Sequence, residues 1–277
     1  MNPVPFLAAC LALSACDSKV PGATDPATPY RFDQPAGRFT LPEDLVEISA
    51  LTVLDDDHLG AVQDEDGDLY VLSTETGGVT VVVPFGTSGD YEGIELATDR
   101  LFVLRSDGAV IEIEGWRGAV DGNGEARATV YQTGLGSNRC NAEGLGTDAG
   151  RLLIACKEED GGGLSLVYAF DLTTNTLVPE LVAVLGRDDV AGGSGALRPS
   201  ALAVHPITGR TVMLASKREA LVSLDATGGV ASVWDLGPAR FEQPEGLAFL
   251  ANGDAFVSSE GVESPAVLLQ FAYAPAR

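Results

Sequence analysis

Five times along the chain a short phrase opens an apolar run: Glu47-Ile48-Ser49-Ala50-Leu51, Glu92-Gly93-Ile94, Glu143-Gly144-Leu145, Ser200-Ala201-Leu202 and Glu245-Gly246-Leu247. Their starts are 45, 51, 57 and 45 residues apart, a spacing that suits a four-stranded propeller blade. A chain repeating at this period stacks supersecondary units, and a propeller brings equivalent positions together around one central channel. Four of the five heads are glutamates, so the repeat predicts a site as well as a fold.

Each repeat divides into four strand-like runs separated by turn residues. In the second these are Gly93–Ala97, Arg100–Arg105, Ala109–Glu114 and Ala128–Gln132, with Ser106-Asp107-Gly108 and Gly122-Asn123-Gly124 among the breaks. The fifth repeat holds only three runs before the chain stops, and Arg38–Leu41 can supply its missing outer strand. Closing the ring in this way removes the exposed edges of an open array. The expected fold is an all-β propeller of five four-stranded blades closed by an N-terminal strand. Six blades are the alternative, if the loop Asp188–Arg198 conceals one.

A hydrophobic content of 45% is ample for a core, and 33 glycines favour short strands and tight turns. A net charge of −23 excludes nucleic acid, whose binders cluster Lys and Arg against phosphates. It also disfavours anionic lipid surfaces and suits a solvated, extracytoplasmic chain.

Residues 1–16 read as a secretory signal: Phe6 to Ala15 is apolar but too short to span a bilayer, and no Lys or Arg precedes it. Leu13-Ser14-Ala15-Cys16 is similar to a bacterial lipobox, which makes Cys16 the expected lipidation site; an ordinary cleaved signal is the alternative. Residues 17–37, rich at first in Pro, Thr, Ala and Asp, are expected as a flexible tether, and 38–277 as the propeller domain. Beyond Cys10 and Cys16, Cys140 and Cys156 flank a hairpin turning at Asp148-Ala149-Gly150. An oxidising compartment favours a disulfide between them.

The phrases Leu41-Pro42-Glu43-Asp44-Leu45-Val46-Glu47-Ile48-Ser49, Gln63-Asp64-Glu65, Tyr91-Glu92-Gly93, Asn141-Ala142-Glu143-Gly144-Leu145, Ala155-Cys156-Lys157-Glu158 and Pro244-Glu245-Gly246-Leu247 follow one another in order. Together they resemble the SdiA-regulated family, over roughly Phe39 to the C-terminus. That resemblance implies a bacterial, envelope-associated β-propeller and carries no settled activity.

In each blade the start of the innermost strand and the end of the second share one face. That face should gather Glu47, Glu92, Glu143 and Glu245 as candidate metal ligands. Around them stand candidate ligand-binding residues at the second-strand ends: Gln63, Asp64, Arg105, Lys157, Glu158, Lys217, Ser259 and Glu260. Converging carboxylates raise one another's pKa unless a cation or neighbouring bases neutralise them. Oxygen-only ligands and only two histidines point to Ca²⁺, or Mg²⁺, over zinc. A self-contained network of glutamates and bases remains the alternative.

His58 and His205 fall in turns on the opposite face, and nothing resembles a nucleophile elbow, a phosphate loop or a zinc motif. The leading expectation is an envelope lipoprotein, monomeric and membrane-bound only through its lipid. It binds a small anionic ligand at the mouth, with or without Ca²⁺, and has no catalysis of its own. A metal-dependent hydrolase of phosphate or other anionic esters, and a protein-interaction platform for envelope partners, are the alternatives.

Overall fold

A computed structural model describes residues 28–136, 139–157, 163–186, 189–190, 197–237 and 241–275. The signal, the lipobox with Cys16, Glu158 and most of the 188–198 loop lie outside these residues.

Twenty strands form five antiparallel four-stranded sheets, confirming five blades. The innermost strands are β2 (Ile48–Val53), β6 (Tyr91–Ala97), β10 (Asn141–Asp148), β14 (Pro199–Val204) and β18 (Gln243–Phe249). Each is followed outward by the next three strands in chain order, except in the last blade. There β18 pairs β19 (Ala255–Glu260), β19 pairs β20 (Val267–Phe271), and β20 pairs β1 (Gly37–Thr40). Phe39 lies opposite Leu268 in that ladder, so the N-terminal strand closes the ring as expected.

The core is distributed between blades. Five apolar clusters fill the five gaps; Ala50, Val62 and Val71 of the first blade, for example, pack against Ile94, Val103 and Ile111 of the second. Strands such as β7 (Arg100–Arg105) are buried on both faces, which is why they read as unbroken apolar runs rather than alternating ones. One short helix, α1 (Trp116–Val120), interrupts the second blade and was not expected. It buries Trp116 and stacks Arg117 on that ring, with the guanidinium carbon 4.3 Å from the centroid.

The expected tether to residue 37 is too long. From Thr28 onward the chain is packed: Tyr30 and Phe32 are buried among Trp234, Phe249, Phe271 and Tyr273. The Tyr30 hydroxyl donates to the Gly253 carbonyl at 2.7 Å and meets His205 Nε2 at 2.8 Å. Polar, Pro-rich flanks hid two aromatics that complete an inter-blade core.

The five inner strands contact one another in a ring around the channel. Their backbones approach so closely that a side chain at the second residue of the Glu-Gly phrase has no room. A Cβ on Gly93 would lie 2.7 Å from Leu145 Cβ of the next blade, and one on Gly246 would collide with Ser258 Oγ and Leu51. The glycine of the phrase is therefore a packing requirement. Gly93→Ala should cost about 1–3 kcal/mol through overpacking. Gly118→Ala, in α1 with nothing within 4 Å of the new methyl, should be neutral or slightly stabilising. Urea unfolding of the two variants side by side checks this.

Cys140 and Cys156 form a disulfide with Cα atoms 5.0 Å apart, both buried. Because Glu143 bulges out of β10, Asn141 opposes Lys157 and Ala142 opposes Cys156, one residue away from simple hairpin counting. The loop closed by the bond predicts a stability loss of about 3 kcal/mol on reduction, measured by denaturation with and without dithiothreitol.

Candidate functional site

Each inner strand slips by an extra residue against its neighbour near its start. The slips fall between Ile48 and Ala50, Tyr91 and Gly93, Ala142 and Gly144, Pro199 and Ala201, and Pro244 and Leu247. A bulge of this kind frees one residue from the ladder and re-aims its side chain. The residues set free are Ser49, Glu92, Glu143, Ser200 and, ahead of Gly246, Glu245. The first blade thus contributes Ser49 to the ring and not Glu47. Glu47 stands two residues earlier in an exposed turn, because the first phrase carries an extra Ile48-Ser49.

Opposite the strand starts stand the second-strand ends. Gln63 faces Ile48, Arg105 faces Tyr91, Lys157 faces Asn141, Ala215 faces Pro199, and Glu260 faces Gln243. Lys217 is not equivalent to the others, lying two residues past Ala215 on a short 3-10 turn, Ser216–Arg218. Arg105 is spent on Asp107, at 2.7 Å. Gln63 is buried and accepts the Glu65 N–H at 2.8 Å; Ser259 accepts the Gln243 N–H at 2.9 Å. Both side chains are thus engaged by backbone N–H groups.

One cation sits among the carboxylates. Lys157 Nζ donates to Glu143 Oε2 at 2.8 Å, and Asn141 Nδ2 donates to the other oxygen of the same carboxylate. Glu143 is only 2% exposed, and its pKa is nevertheless raised, because burial outweighs Lys157. Burial, Glu143 and Asp90 push Glu92 up to about 9. Burial is likewise the first cause for Glu245, at about 7, with Lys157 and Glu143 acting on it in opposite senses. Glu260 is pushed up to about 8 by burial, Glu245, Asp64 and Glu47. Asp64 rises to about 6 through burial and then Glu47, Glu65 and Asp90, and its Oδ1 is buried without a hydrogen-bond partner. Lys157 is itself raised by Glu143, Glu245 and Glu92 despite its burial.

Among the described residues the mouth is therefore a cluster of carboxyls around Lys157, with Arg198 adding its attraction to Glu143. Among the described residues no group of three or more Asp, Glu, His or Cys is placed to hold a metal ion. Asp90 and Asn141 belong to the cluster and were missed. Each stands two residues ahead of a phrase glutamate, which is the signal that could have found them. Glu95 was missed too. It lies lower in the channel with only the Thr52 hydroxyl as partner, at 3.3 Å, and burial pushes it up to about 8. Of the histidines, His58 pairs with Asp55 at 2.9 Å on the far side, and His205 is buried under Tyr30.

A family model for SdiA-regulated proteins matches residues 40–271, nearly the whole propeller. The chain belongs to the SdiA-regulated family. No curated protein matches it. Among solved structures, glutaminyl cyclase of Myxococcus xanthus is similar at 17% identity and a TM-score of 0.60, covering 88% of this chain and 97% of that one. The PQQ-bound aldose sugar dehydrogenase of Streptomyces coelicolor is similar at 12% identity and a TM-score of 0.54, covering 86% and 97%. A protein of unknown function from Bacteroides thetaiotaomicron gives 14% and 0.53, covering 80% and 53%. At these identities the likeness shows the shared fold alone.

The crowded carboxyls make stability depend on pH in an unusual direction. A carboxyl whose folded pKa is raised keeps its proton in the native state while the unfolded chain releases it. Stability thus falls as pH rises from the ordinary carboxylate range through about 7 to 9. Below that window the groups with lowered pKa, such as Asp107, Glu112 and Glu242, lose their contributions instead. The melting temperature should peak near pH 5 and fall toward pH 9. Glu92→Gln, neutral at every pH, should flatten that fall. Glu75→Gln, which removes the same charge from an exposed turn, should not. A slope from pH 5 to 9 that is flat, or the same in both variants, would show that the mouth carboxyls titrate as solvated groups.

Proposed function

We propose that this protein is a ligand-binding β-propeller of the bacterial cell envelope, and that its ligand presents a positively charged group to the carboxyls at the channel mouth. The observation that carries this reading is the imbalance there: among the described residues Glu92, Glu143, Glu245 and Glu260 share Lys157, Arg198 adds its attraction to Glu143 alone, and Asp64 has only other carboxyls acting on it. Burying carboxyls in mutual contact is costly, and nothing in the ring packing requires it, since the first and fourth blades fill the same bulge with Ser49 and Ser200. An incoming cation restores the ionised forms and is bound in exchange for protons.

Ca²⁺ needs six to eight oxygens, and among the described residues the carboxyls are not gathered for that. An ammonium group needs only two or three acceptors, which suits the arrangement better. The envelope location rests on Leu13-Ser14-Ala15-Cys16, with Cys16 as the lipid-bearing residue, and on the disulfide, which belongs to an oxidising compartment.

A second reading is favoured by one observation. Glu245 titrates near 7, the value suited to a general acid or base. Two proteins of similar fold are a cyclase and a dehydrogenase. On this reading the bound amine is a substrate, and turnover should disappear in Glu245→Gln.

Calorimetry with methylammonium and with Ca²⁺, in buffers of different ionisation enthalpy, tests the proposal. Saturable methylammonium binding that releases protons, tightens from pH 6 to 9 and weakens at least tenfold in Glu143→Gln is expected. Binding of Ca²⁺ without the amine would make the cation a metal. Binding of neither would overturn the proposal.

A further inference from the structure

Beside the carboxyl cluster, a cavity of about 290 Å³ opens between the third, fourth and fifth blades. Its volume lies at the small end of the range for small-molecule sites. Its charged lining is Lys157, Arg198, Lys217, Glu219, Glu242 and Glu245, with Ser216 and Gln243 between them. These charges differ in whether they are already committed. Lys157 is taken by Glu143. Glu242 is turned onto the loop that follows β19, accepting the N–H groups of Val262 and Glu263 at 2.7 and 2.8 Å and the Ser264 hydroxyl at 2.6 Å. Arg198 and Lys217 have no ion-pair partner among the described residues, although the chain carries more than twice as many acids as bases.

The lining of the cavity therefore carries both signs. Glu245 lines it with Lys157, from the crowded carboxyls. Two cations from separate segments join them, Arg198 just before β14 and Lys217 on the turn Ser216–Arg218, and Arg198 also attracts Glu143 through space. The backbone ties these segments together: Ser216 donates both its N–H and its hydroxyl to the Arg198 carbonyl, at 3.0 and 3.1 Å. The two cations are thus held on one wall by main-chain geometry. A purely cationic ligand would leave that wall unused, and a purely anionic one would face the carboxyls.

We propose that the ligand is a small zwitterion of amino-acid size, with its ammonium group at Glu245 and the neighbouring carboxyls and its carboxylate on Arg198 and Lys217. This rests on the cation-binding reading above and specifies its ligand class. It also places the anionic group expected from the basic residues of the sequence, on Lys217 and Arg198 rather than on Arg105.

The test separates the two claims by pairing each common amino acid with its own amide, which differs only in lacking the carboxylate. Affinities for the purified full-length protein are measured by calorimetry at pH 7, where acid and amide both carry the ammonium group. For at least one pair the free acid should bind tenfold or more tighter than the amide. In the Lys217→Gln/Arg198→Gln double variant, with its melting curve confirming the fold, that ratio should collapse toward one. Amides binding as tightly as their acids, or a ratio unmoved in the double variant, would overturn the zwitterion while leaving the cation site standing. Binding of neither acids nor amides, together with no methylammonium binding, would overturn both.

Discussion

The whole molecule depends on how closely five inner strands can be brought around one axis. Blade stacking buries the apolar runs only if the strands at the centre come into close contact, and that leaves no space for a Cβ at Gly93 or Gly246 and little at Gly144. Each strand meets this demand with a bulge at its start. The small residue turns into the next blade, and the residue before it leaves the ladder. Packing thus creates five positions around the channel where a side chain is free to serve another purpose. Two blades use serine there, and three use glutamate.

That choice has an electrostatic cost, which argues for a purpose beyond folding. The Glu143–Lys157 pair, braced by Asn141 and set directly beside the Cys140–Cys156 bridge, offsets one buried charge. Glu92, Glu245 and Glu260 share what remains of that cation's influence and hold their protons into the neutral range. Away from the mouth, ion pairs match one base to one acid. Arg100 takes two oxygens of Glu112 at 2.8 and 2.6 Å, and Arg151 takes Asp148 at 2.9 Å. The contrast between these one-to-one pairs and the crowded carboxyls sets the mouth apart and accords with the cationic ligand proposed above.

The architecture was legible because blade period, strand breaks and the three-run last repeat are all local patterns that point the same way. Five blades and the closing strand from the N-terminus follow from them. The site was legible to within a register. Glu92, Glu143 and Glu245 occupy equivalent bulges, but Glu47 does not, since a bulge depends on ladder pairing and the letters of one strand do not show where the slip falls. Arg105 and Lys157 are equivalent in the ladder and differ in fate, because Asp107 stands two residues after Arg105 and captures it. Tyr30 and Phe32 were hidden for another reason. Their partners, Trp234, Phe249 and Phe271, lie more than 200 residues away along the chain, and no local pattern announces such a contact.

That last contact also gives the molecule a direction. His205 and Gly253 lie in the turns that follow β14 and β18, so they mark the end of the channel opposite the strand starts. Tyr30 is anchored between them, with Ala274 donating its N–H to the Pro29 carbonyl beside it. Both ends of the described chain are thereby fastened to the face away from the carboxyls. If Cys16 carries the lipid proposed above, attachment acts on one end of the propeller and ligand capture on the other. A −23 chain is repelled by anionic headgroups. Separating the two ends leaves the cavity beside Lys217 open to solvent, where a small polar ligand would be met.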